Sequence, residues 1–205
     1  MKKTIIFGSC IATIMFAMAS CGGAEEEEST EETTDNTEEV EDVVEAVDYM
    51  VDAESSTINW WCTEEGEKAH WGTAKPMGGK FTLEGDVITD AALTIDMASV
   101  TADDEMGAKL MKHLSGPDFL DLEQYGTSSF AFGSHEDGVL SGTLTVAGLE
   151  MDVKADVTIT DGVVATSDFE IDMIQFPYFQ AEQAEKPEGE WHNTMIGFNA
   201  TIIGQ

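Results

Sequence analysis

Residues 101–132 read TADDEMGAKLMKHLSGPDFLDLEQYGTSSFAF. The first half of this stretch predicts a helix. Thr101 can cap it, and Asp103, Asp104 and Glu105 put negative charge on the first turn. Lys109, Lys112 and His113 put positive charge on the last turn, as the macrodipole favours. Met106, Leu110 and Leu114 recur every four residues and make one apolar stripe, and Gly116-Pro117 stops the helix. Nearly everything around it alternates with the period of strand. One short helix among antiparallel strands suggests the plug or lid of a barrel.

The alternation extends outward in both directions. Ala91, Leu93, Ile95 and Met97 oppose Thr94 and Asp96, and Leu140, Gly142, Leu144 and Val146 oppose Ser141, Thr143 and Thr145. Met151, Val153, Ala155, Val157 and Ile159 oppose Asp152, Lys154, Asp156 and Thr158. Ala165, Ser167, Phe169, Ile171 and Met173 form a further inward set, and Ile196, Phe198, Ala200 and Ile202 close the chain. This is the pattern of half-buried antiparallel strands. Turns are expected at Gly85-Asp86, Glu136-Asp137-Gly138 and Asp161-Gly162. Residues 175–191, with Pro177 and Pro187, read as an irregular loop. So many meandering strands must close or stack to hide their edges, and a closed barrel of about eight has room for packed side chains or one ligand. Composition leaves barrel and sandwich open.

Several short motifs, taken in order, resemble the YceI-like family. They are Ser55-Ser56-Thr57-Ile58-Asn59-Trp60, His70-x-Gly72, Gly79-x-Phe81, and Ile95-Asp96-Met97 with Ser99-Val100-Thr101. The series continues with His113-Leu114-Ser115-Gly116-Pro117-Asp118-Phe119-Leu120-Asp121, Tyr125, and Gly142-Thr143-Leu144-Thr145-Val146-x-Gly148. Two turns depart from the family's usual pattern: Tyr125-Gly126 stands where Tyr-Pro is common, and Leu149-Glu150 where a Thr-Lys-Pro turn is common. The resemblance implies an all-β fold, a closed antiparallel up-and-down β-barrel of lipocalin-like type over residues 49–205, with one short helix. It also implies an envelope protein that binds a polyisoprenoid-type apolar lipid.

Ahead of this domain, residues 1–20 read as a lipoprotein signal peptide. Lys2 and Lys3 precede an apolar run, Ile5 to Met18, too short for a comfortable membrane span. Met18-Ala19-Ser20-Cys21 resembles a lipobox, so Cys21 is the expected lipid anchor. Several acyl chains at about 0.8 kcal/mol per buried CH₂ would hold the protein firmly. Residues 21–48 read as the lipidated cysteine and a disordered acidic tether, rich in Glu and Asp without one basic or aromatic residue. Acids directly after the cysteine resemble a surface-export signal of Bacteroidetes lipoproteins. The expected place is therefore the bacterial cell envelope, lipid-anchored at the outer membrane in its periplasmic or surface leaflet.

The formal charge of −32, with no arginine at all, argues against nucleic acid, because a phosphate backbone would be repelled. It equally disfavours direct binding to anionic head groups, leaving the lipid anchor as the only expected membrane contact. No calcium-loop or HExxH spacing occurs, so no metal and no cofactor is expected. After the leader and the anchor, Cys62 is the single remaining thiol, beside Trp60 and Trp61; it reads as a small buried hydrophobe. No sequence-local catalytic group emerges. The candidate ligand-binding residues are therefore the inward apolar set: Phe81, Leu93, Phe130, Phe132, Leu144, Val146, Val153, Val157, Phe169 and Phe198. Trp60 is added as a rim indole and His70 as a polar contact. Small residues on the same face, Gly142, Ala155, Ala165 and Ala200, leave room for a cavity. A non-enzymatic lipid carrier is the first expectation. A barrel enzyme on a small apolar substrate, or a solid-core scaffold or adhesion module, remains the alternative, and homodimerisation stays open.

Overall fold

The computed structural model describes residues 44–187 and 189–205. The expected leader, Cys21 and residues 22–43 of the expected tether lie outside the described residues. Ten strands follow: β1 (Ala46–Met50), β2 (Thr57–Glu64), β3 (Glu67–Glu84), β4 (Val87–Asp96), β5 (Thr127–Glu136), β6 (Val139–Val146), β7 (Leu149–Thr160), β8 (Val163–Thr166), β9 (Phe169–Asp172) and β10 (Met195–Ile203). Two helices interrupt them, α1 (Gly107–Leu114) and α2 (Pro177–Glu185).

The sheet runs β3-β2-β10-β8-β7-β6-β5-β4 and closes where β4 pairs with β3. Every pairing is antiparallel, and most join sequence neighbours; the exceptions are the seam of β10 on β2, β10 on β8 and β1 on β3. The two short extra strands prolong existing ones. β1 continues along the same edge of β3 beyond β2, and β9 continues along β10 beyond β8. The expected eight-stranded up-and-down barrel is thus the observed fold. Strand β1 starts at Ala46, inside the segment read as tether, because Val47 and Tyr49 pair with Leu83 and Phe81.

Tight hairpins mark one end of the barrel at Gly85-Asp86, Asp137-Gly138 and Asp161-Gly162, as expected. At Asp137-Gly138 and Asp161-Gly162 both residues have positive φ, the twist that suits a two-residue hairpin. The opposite end carries Glu65-Gly66 and Ala147-Gly148 turns and both long connections. The Tyr125 ring packs on Gly148, so the two turns that depart from the family's pattern lie against each other.

The structure corrects the helices. Thr101 is not the cap of α1; its hydroxyl accepts from the Thr73 amide while its own amide donates to the Thr73 carbonyl. Met106 is the N-cap instead, without a side-chain cap, and Asp104 Oδ1 accepts from the Met106 amide at 2.6 Å in the turn leading into the helix. No residue of α1 is buried, and Met106 is 43% exposed. The expectation of one short helix and an irregular 175–191 loop also gives way, because α2 forms there. Pro177 sits at its first turn, where a missing amide costs nothing, and so begins the helix rather than breaking it.

Two apolar clusters fill the interior. One at the helix end includes Met97, Val146, Met151, Phe176 and Phe179; one at the hairpin end includes Val51, Phe81, Leu83, Ile88 and Val164.

Candidate ligand-binding cavity

Between the clusters lies a cavity of about 260 Å³ that reaches along the barrel. At the hairpin end its wall is Val51, Ile88, Leu140, Val164 and Ile202; at the helix end it is Leu114, Phe119, Leu120, Met173 and Phe176. Of the residues singled out from sequence, Phe81, Leu93, Phe130, Leu144, Val146, Val153, Phe169, Phe198 and Trp60 line it. Phe132 and Val157 do not; they pack against the hairpin-end cluster without reaching the cavity. His70 does not line it either.

The small-residue expectation holds in part. Ala155 and Ala200 line the cavity. At Gly142 the Phe130 ring lies over the glycine, 2.5 Å from where a Cβ would stand, so that space is already filled. Ala165 is displaced from the inward set by Val164 and Thr166. The reason is the break between β8 and β9 at residues 167–168, which shifts the alternation so that even positions face in before it and Phe169, Ile171 and Met173 after it.

Sequence reading missed Phe119, Leu120 and Phe176. These come from the long connections, where no strand period signals an inward side chain. They close the helix end with aromatic packing: Phe119 stacks on Tyr178 at 4.8 Å and meets Phe179 edge-on at 5.5 Å. The Tyr178 amide donates to the Asp118 carbonyl, tying α2 to the loop after α1.

Three polar residues contribute to the wall, and each has its polar atom engaged elsewhere. The Lys80 ammonium reaches Asp90 at 2.7 Å, the Ser128 hydroxyl donates to Met97 Sδ at 2.9 Å, and Thr166 Oγ1 accepts from the Ala200 amide. Such a wall offers a ligand dispersion and dehydration rather than acid–base chemistry.

Two polar clusters stand at the helix end, off the cavity. In the first, His70 Nδ1 donates to Asp104 Oδ2 at 2.9 Å, with the Asp104 side chain only 5% exposed. Burial pushes the Asp104 carboxyl up, but the bonds from His70 and the Met106 amide outweigh it and hold it below the usual range. Trp60 Nε1 donates to the Thr101 carbonyl at 3.0 Å, which lies directly over Gly72. A Cβ there would fall 1.9 Å from that oxygen, so only glycine fits. Cys62 faces His70 across the β2–β3 ladder, yet burial pushes its thiol up, which opposes thiolate chemistry.

In the second cluster, Glu182 of α2 is 7% exposed. It accepts from Lys186 Nζ at 2.5 Å, the His192 amide at 3.0 Å and His192 Nδ1 at 2.6 Å. Burial would raise its carboxyl, but these donors hold it at about 2. The cluster fastens α2 to the chain entering β10.

Among curated proteins, none matches this sequence. The fold is similar to the crystal structure of Burkholderia cenocepacia BcnA, at 16% identity over 74% of this chain and 98% of that one, with a TM-score of 0.49. It is also similar to the Campylobacter jejuni YCEI protein, at 18% identity over 58% of this chain and 73% of that one, with a TM-score of 0.44. The pattern of the YceI-like domain matches residues 49–202, which span every strand that closes the barrel. The chain belongs to the YceI-like family.

Proposed function

We propose that the barrel binds and carries an apolar lipid of polyisoprenoid type, without catalysing a reaction, from a lipid-anchored position in the bacterial cell envelope. The observation that supports this reading is the apolar cavity, whose few polar wall residues all have partners. An apolar cavity near 150 Å³ accepts a benzene, so one of about 260 Å³ takes on the order of ten carbon atoms. That is a segment of a long chain. A longer stretch requires Phe119 and Phe176 to move from the helix end, where they bound the cavity. The ligand residues in this reading are the nine wall residues foreseen from sequence together with those two phenylalanines.

Mass spectrometry of an organic extract of the purified protein tests it, alongside Ala155→Phe. Ala155 lines the cavity, and a phenylalanine there would occupy it. A carrier should yield a lipid that Ala155→Phe abolishes, at a stability cost below about 1 kcal/mol because the new ring fills existing space. A native protein without lipid, combined with a cost of about 3 kcal/mol for Ala155→Phe, would sink the reading in favour of a solid core.

A further inference from the structure

One polar atom inside the barrel has no partner. His135 Nε2 is the single buried side-chain nitrogen or oxygen left without a hydrogen bond among the described residues. Strict alternation from Phe130 and Phe132 would turn His135 outward. A bulge between Phe132 and Ser134 resets the register, so that His135 stands directly opposite Leu140. Opposed residues of an antiparallel pair share a face, and Leu140 lines the cavity. His135 is therefore the last inward residue of β5, at the hairpin end.

Its protonation follows from geometry. The Ile88 amide donates to His135 Nδ1 at 3.0 Å. With Nδ1 accepting, the ring's N–H donor in this arrangement is Nε2. Ile88, the donor, also lines the cavity and is 2% exposed. An N–H donor, buried and unpaired, thus stands behind the hairpin-end wall. His135 does not itself line the cavity, whereas its neighbours Ile88 and Leu140 do, so a ligand reaches it only past those two side chains. Leaving such a donor unmade is costly, and a ligand atom that accepts from it removes the cost.

We propose that His135 is a ligand-binding residue that selects apolar chains carrying a neutral oxygen acceptor, such as an alcohol or a ketone, at the end inserted toward the hairpins. An ionised carboxylate or phosphate is disfavoured, because Lys80, the one cationic side chain of the cavity wall, has its ammonium held by Asp90. This inference deepens the carrier reading and rests on it.

The test displaces a fluorescent apolar probe, N-phenyl-1-naphthylamine, from the full domain with 1-decanol or 1-chlorodecane. His135→Asn is the variant, because the amide oxygen of asparagine can replace Nδ1 as acceptor for Ile88 while the Nε2 donor disappears. The preference for decanol over chlorodecane should fall by about five-fold in the variant, the equivalent of one neutral hydrogen bond. An unchanged preference, or equal weakening of both compounds, overturns the role of His135 and leaves the cavity reading intact. Failure of both compounds to displace the probe from the native protein overturns both. Long-range ¹H–¹⁵N spectra of native His135 decide the matter independently, even if the variant does not fold. An Nε2–H ring whose proton shifts with decanol and not with chlorodecane supports the proposal. An Nδ1–H ring, or a proton that does not respond to decanol, overturns it.

Discussion

Glu182 is a carboxylate almost wholly removed from water, held by a lysine, a histidine ring and a backbone amide. Its folded pKa of about 2 lies below the ordinary 4.5, so it stabilises the fold fully above the ordinary value. That contribution fades as pH falls from 4.5 toward 2. Glu182→Gln should therefore cost about 1–3 kcal/mol at pH 7 in urea unfolding, since it removes a charged acceptor from four donors, the Tyr178 hydroxyl being the fourth. The gap between native and variant should narrow as pH drops through that window. A gap that stays constant down to pH 2.5 would mean the carboxylate is not the fastening group. Sequence could not single out Glu182, because one acid among dozens becomes special only when folding buries it. The same holds for His135, whose inward orientation comes from a bulge that breaks the alternation. Phe198 was legible because β10 keeps strict alternation from Ile196 to Ile202, and Phe81 and Leu93 because alternation holds locally around them, although β3 and β4 each shift register elsewhere.

At the scale of elements, the two helices exchange the weights their sequences suggest. α1 carries the amphipathic stripe and the charge bias, yet it lies on the surface, with Leu114 alone reaching the cavity wall. α2 carries no helical stripe and starts at a proline, yet Phe176 just before it and Phe179 within it are among the most buried side chains. Phe176, 1% exposed, should cost about 3–5 kcal/mol when changed to alanine. Met106→Ala, at the exposed start of α1, should stay within about 0.5 kcal/mol of native. Urea midpoints of the two variants compare them directly. Equal costs would show that the amphipathic helix, and not α2, caps the barrel. The reversal has a physical source: a helical stripe reports that one face prefers apolar surroundings, not how deep those surroundings lie. Burial at α2 is set instead by where the connection between β9 and β10 crosses the barrel end.

For the whole molecule, the first twenty-one residues carry a short apolar run and a small-small-Cys site, from which we propose lipid anchoring. Cys21→Ser should release the protein from the membrane fraction after a high-salt wash. Continued sedimentation of the variant with membranes would exclude the acyl chains as the anchor, since a chain of this net charge has little affinity for anionic lipid. Strand alternation, Gly-Asp turns and the absence of arginine were all readable without coordinates. They determined an antiparallel all-β domain and set an expectation against nucleic-acid binding. Closure required more. Alternation reports which face of a strand is apolar but not what that face meets, so barrel and sandwich look alike until β4 pairs with β3. The cavity is likewise a property of the assembled wall. Whether facing side chains meet or leave a gap depends on distances across the barrel, which bulges, the β8–β9 break and the crossing loops set together.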